Sequence, residues 1–101
     1  MKVLISTGYG TGWSTANFCN EMAIDKDLIA LFERGCTKDE MIEECRRKGY
    51  EDPYDGAPCM LGYENLVVRD VPDGVYFKIR EYDGAEWIEI FDKAEWFYSG
   101  D

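Results

Sequence analysis

Two apolar-polar alternating runs, residues 75–82 and 85–91, are separated only by Asp83-Gly84, and no other feature of the chain constrains its fold as much. Asp-Gly supplies the positive backbone angles that a two-residue hairpin turn requires. Such a turn fixes the register, so facing residue numbers sum to 167. Ile79 then faces Ile88 and Phe77 faces Ile90, giving one apolar face. On the other face Lys78 meets Glu89, Arg80 meets Trp87 and Tyr76 meets Phe91, each a favourable cross-strand pair. That both faces accept one register supports it. Glu81 alone fits badly: it falls opposite Glu86, beside Asp83. Taken by itself, this is an exposed tip where water screens the repulsion. The functional reading is a negative knob offered to a basic partner.

The rest of the chain divides into short elements. Residues 2–7 (K-V-L-I-S-T) read as a buried strand, and residues 66–71 as another, ended by Pro72-Asp73-Gly74. Residues 25–32 read as a helix capped by Asp25 and ended by Gly35. A second helix starts at Thr37, where Thr37-Lys38-Asp39-Glu40 forms a capping box, and stops at Gly49. Its charges suit its dipole, and Glu43 with Arg47 and Glu44 with Lys48 have i,i+4 spacing. Residues 50–63 form a long connection whose Asp52, Tyr54 and Asp55 make it a candidate contact region. A last short strand is expected in the aromatic tail around Trp96-Phe97-Tyr98. These elements predict a single α+β domain over residues 1–101. Its architecture is an antiparallel sheet of four to five strands packed against two helices, in the order β-α-α-β-β-β.

Composition excludes several classes of function. The 101 residues allow one core but not two. There is no histidine, and no two of Cys19, Cys36, Cys45 and Cys59 form a C-x-x-C pair. Zinc ribbons, thioredoxin-type motifs and Ser-His-Asp or Cys-His mechanisms are therefore out of reach of one chain, and no metal or cofactor is expected. No pair of carboxylates stands out for acid–base work, so a binding protein is expected rather than an enzyme. The apolar start is too short for a secretion signal, and no apolar run approaches membrane-spanning length, which suggests reduced thiols and a cytoplasmic setting. A net charge of −10 disfavours direct contact with nucleic acid or anionic membrane.

Residues 8–15, Gly8-Tyr9-Gly10-Thr11-Gly12-Trp13-Ser14-Thr15, form a glycine-rich loop after the first strand. Its amides and hydroxyls suit an anion, and Tyr9 and Trp13 suit a flat ring, as in a nucleotide-like ligand. The spacing is neither a Walker A loop nor a Rossmann fingerprint, since Trp13 stands where the last glycine belongs. Equally, the loop reads as a tight turn that folds Trp13 onto the core; the sequence leaves both readings open. The stretch from Thr7 to Thr15, with Arg80 to Glu86 (R-E-Y-D-G-A-E), resembles a family of small phage and prophage proteins. These begin with a strand and T-G-Y-G-x-G-W-S-T, continue with an acidic helical middle, and end in such a strand. The resemblance covers both ends of the chain. It implies a phage-related origin and a small α+β fold, and carries over no catalytic residue. The family pattern has an aromatic after the second Thr, whereas Ala16 stands here.

Charge is uneven along the chain. Residues 1–50 carry 8 acids and 7 bases; residues 51–101 carry 13 acids and 4 bases. Asp70, Asp73, Glu81, Asp83, Glu86 and Glu89 fall on the expected sheet or its turns. Carboxylates in such an array imitate DNA phosphates and compete for the same Lys and Arg side chains. A solvated outer face is the plainer reading, and Lys78 and Arg80 interrupt the array. The favoured expectation is an acidic accessory protein that binds and inhibits a host protein with a basic, nucleic-acid-binding surface, such as a nuclease or another defence component. The alternative is a small-ligand binder built on the glycine-rich loop.

Overall fold

The computed structural model describes residues 1–50 and 58–91. The chain runs β1 (Lys2–Ser6), α1 (Glu21–Ile24), α2 (Lys26–Glu33), α3 (Lys38–Arg47), a single 3-10 turn at Tyr63–Asn65, β2 (Leu66–Asp70), β3 (Tyr76–Tyr82) and β4 (Ala85–Phe91). The α+β class and the order of elements agree with the sequence, with one extra short helix, α1.

The sheet differs from expectation. β1 pairs antiparallel with β2, and β3 with β4, but the two pairs form separate sheets of two strands. They meet face to face rather than edge to edge. Leu4, Leu66 and Val68 turn to one side of the β1–β2 ribbon and join Trp13, Met22, Leu28, Ile29, Met41 and Cys45 in the helical core. Val3, Ile5 and Val67 turn to the other side and pack with Phe77, Ile79 and Ile88 of the hairpin. The ribbon is thus buried on both faces, which is why β1 reads as continuously apolar. Hairpin register is as expected, from Tyr82 opposite Ala85 to Tyr76 opposite Phe91. The expected strand in the aromatic tail, and the candidate contacts Asp52, Tyr54 and Asp55, lie outside the described residues.

Both long helices start as their caps dictate. Thr37 and Glu40 form the capping box. Asp25 accepts from the amides of Asp27 at 2.9 Å and Leu28 at 3.2 Å. It also accepts from Lys48 Nζ at 3.0 Å and the Tyr50 hydroxyl at 2.8 Å. Lys48 therefore ties α3 to the start of α2, also reaching Asp27 at 2.6 Å, and does not pair with Glu44. Arg47 pairs with Glu44, three residues earlier, and not with Glu43. Burial pushes the Asp25 carboxyl up, but the bonds from Lys48, Tyr50 and the two amides outweigh it and hold its pKa below the usual value. A depressed carboxylate stabilises the fold above its unfolded pKa, about 3.9, and that contribution is lost as pH falls through the folded value. Asp25→Ala is expected to lose about 1–2 kcal/mol in urea denaturation at pH 7, since it removes a cap and the acceptor of the Tyr50 hydroxyl, while Lys48 keeps its pair with Asp27. The gap from wild type should narrow below about pH 4.

Candidate functional site

The glycine-rich loop does hold an anion, and the anion is the chain's own Glu86. Glu86 is 3% exposed. Its Oε1 accepts from the Ser6 amide at 2.8 Å. Its Oε2 accepts from the Trp13 amide at 3.0 Å, the Thr15 amide at 3.0 Å and the Thr15 hydroxyl at 2.5 Å. Three backbone amides and a hydroxyl thus converge on one carboxylate, the arrangement by which a backbone nest binds an anion. The segments Thr7 to Thr15 and Arg80 to Glu86 are thereby bonded to each other.

The hairpin turn is fastened to the loop by backbone as well. The Gly10 amide donates to the Asp83 carbonyl. Gly84 has φ +84, and a Cβ there would collide with the Thr11 backbone. Thr11 Oγ1 donates to the Gly8 carbonyl, so the Ser6 hydroxyl, 2.9 Å away, donates to Thr11. Trp13 is fully buried and its Nε1 donates to the Met22 carbonyl at 3.2 Å. Ser14 is fully buried beside it.

These positions correct the sequence reading at several points. Glu86 is not a surface carboxylate, because it lies on the inward face of β4 with Ile88. Trp13 cannot stack on a ligand together with Tyr9, because its indole is core. The donors that an anionic ligand would use, at Trp13 and Thr15, are already occupied. The remaining acids do not form one array. Glu81 and Asp83 stand exposed at the hairpin tip. Glu81 accepts from the Gly84 amide at 2.9 Å, which relieves the like-charge pairing with Glu86. Glu89 is bound by Arg80 at 2.6 Å. Asp70 and Asp73 lie at the far end of the hairpin, beside Lys2 and the N-terminal ammonium. Seven residues of β3, about 20 Å of strand, separate that end from the tip.

What gathers around the loop instead is exposed apolar surface. Of the nine exposed large hydrophobic side chains among the described residues, the four most exposed are Phe18 at 96%, Tyr9 at 75%, and Leu61 and Tyr82 at 72%. All four sit on segments that meet at the end of β1. Tyr9 is in the loop, and Tyr82 borders the turn that the loop holds. Phe18 closes the turn after Trp13. Leu61 is in the segment stapled to that turn by Asn17, whose Nδ2 donates to the Cys59 carbonyl at 3.1 Å and whose Oδ1 accepts the Cys59 amide at 2.6 Å. Sequence reading missed Phe18 and Leu61, which carry no motif.

Comparison of the chain with protein-family models, curated proteins and solved structures finds no match. The chemistry available to the site is therefore judged on its geometry. Among the described residues no group of three His, Cys, Asp or Glu is placed to hold a metal ion, and no helix is long and apolar enough to cross a membrane. Burial pushes the Cys45 thiol up to about 12, and burial with the neighbouring Glu21 raises that of Cys19. Neither is a ready thiolate nucleophile.

Proposed function

We propose that this protein is a binding module whose partner contact is the end of the molecule where the hairpin tip meets the glycine-rich loop. It is read as an acidic, phage-type accessory protein that engages and inhibits a host protein with a basic surface, such as a nuclease. The observation that carries this is the exposure of Tyr9 and Tyr82 on the two segments that the Gly10–Asp83 bond joins, beside the exposed Glu81 and Asp83. Aromatic anchors rimmed by charge are the usual makings of a binding hot spot. The Glu86 cradle supports the reading in another way. It fixes tip and loop in one geometry before any partner arrives, so little ordering is needed on binding. Net charge of −10 favours a basic partner and fast, salt-sensitive encounter.

The test is affinity capture from host lysate at low and high salt, read by mass spectrometry, with three baits. Wild type is expected to retain a basic protein that is released at high salt. Glu81→Lys with Asp83→Lys should weaken retention on the order of tenfold, and Tyr9→Ala with Tyr82→Ala by more. Equal retention by all three baits would move the contact elsewhere on the molecule.

A further inference from the structure

We infer that Phe18 is an anchor side chain, kept in a strained backbone position so that it can enter an apolar pocket on a protein partner. The inference rests on the binding reading above and names the residue that fills the partner.

Phe18 has φ +52, in the left-handed region that side chains other than glycine and asparagine seldom adopt. Its hydrogen bonds show why. Cys19 N donates to Ser14 O at 3.0 Å and Phe18 N to Thr15 O at 3.3 Å, a six-to-one bond enclosing a five-to-two bond. This pairing closes a helical turn in the Schellman manner, and its left-handed residue is usually glycine. Among the described residues the same closure is built twice more. After α2, Cys36 N donates to Leu31 O and Gly35 N to Phe32 O. After α3, Tyr50 N donates to Cys45 O and Gly49 N to Arg46 O. Both of those closures place glycine in the left-handed position, with φ +78 and +82. Of these three closures, the one beside the glycine-rich loop places a phenylalanine there.

Among the described residues the ring packs against nothing that offsets this. Phe18 is 96% exposed, the most exposed large hydrophobic side chain among the described residues. A strained backbone carrying a ring in water marks a residue held for something outside the molecule. Leu61, 72% exposed, lies on the segment that Asn17 staples to this turn, and it extends the apolar contact. The exposed Glu21 follows Phe18 by three residues, whereas Glu64, three residues after Leu61, is paired with Lys38 at 3.9 Å. On a chain of net charge −10, the complementary surface is an apolar pocket on a protein with basic side chains at its rim.

Two measurements on the full chain test this. Phe18→Gly should raise the melting temperature by roughly 2–5 °C, since glycine enters the left-handed region without strain. A lower melting temperature would show that the ring serves the fold, and would overturn the inference. Second, p-benzoylphenylalanine placed at position 18 should give a photo-adduct with a lysate protein, whereas the same probe at Asp39 on α3 should not. Unlabelled wild type should compete the adduct away, and Phe18→Gly should need at least tenfold more to do so. An adduct at position 82 but none at 18, or equal competition by Phe18→Gly, would overturn the anchor while leaving the tip reading intact. No adduct at either position would remove both. A wild-type dimer dissolved by Phe18→Gly would assign the ring to a second copy of the chain, and would also overturn the inference.

Discussion

Glu86→Ala is expected to cost about 3–5 kcal/mol of folding stability, a large share of the 5–15 kcal/mol typical of a small domain. The substitution removes one carboxylate but strands several groups. The Ser6 and Trp13 amides are buried, and without Glu86 they and the Thr15 amide lose their acceptor. Each such orphan costs about 1–3 kcal/mol. Glu86→Gln keeps the shape, yet its amide nitrogen would have to face donors, so about half the loss is expected to remain. Glu86→Asp is one methylene short and should not bridge Ser6 and Trp13 together. Urea denaturation of the three variants checks this. A loss below about 1 kcal/mol for Glu86→Ala would mean that water replaces the carboxylate cheaply, and that the loop is not built around it.

Trp13→Ala should be of similar size, about 3–5 kcal/mol, for a different reason. The indole is fully buried in the helical core with Leu4, Met22 and Leu28, and its removal leaves a cavity in that cluster. Trp13→Phe should cost less, chiefly the bond to the Met22 carbonyl and part of the ring volume. The two families of variants separate cleanly in near-ultraviolet circular dichroism. Glu86→Gln should keep a Trp13 signal under native conditions, and Trp13→Phe should lose it. An exposed, ligand-stacking tryptophan would instead tolerate alanine within about 0.5 kcal/mol.

Local structure was legible wherever one short stretch determines it. Asp83-Gly84 dictated the turn and therefore every pair from Tyr82–Ala85 to Tyr76–Phe91. Asp25 and Thr37 announced their helices, because capping is a contact within three residues. How the strands combine was not legible. An apolar run such as Val3-Leu4-Ile5 is equally suited to the middle of one sheet and to a ribbon buried between a hairpin and helices. Only long-range packing decides between them. Glu86 is the instructive case. The register that Asp83-Gly84 dictates places it on the same face as Ile88 and Ile90, which stand opposite Ile79 and Phe77. An acid on that face needs partners, and the nearby loop with three glycines had donors to spare. The two halves of that argument lay at opposite ends of the chain, so each was read separately, as an exposed knob and as an open anion site. Phe18 was invisible for another reason. Its strain exists only because a turn closes there, and no residue type marks that closure when glycine is missing.

The cradle also has a consequence for the order in which the molecule comes together. Its donors are at Ser6, Trp13 and Thr15, and its acceptor is 80, 73 and 71 residues further along. Contacts so distant in sequence are late and slow to form, because a long loop must close before they return any stabilisation. During synthesis at about 5–20 residues per second, the first strand and the glycine-rich loop therefore wait several seconds for the segment that completes them. Until β4 emerges, the loop's amides face water or any other carboxylate within reach. β4 acts as the fastener of β1 and the loop after it, so these two distant segments mature in a single step.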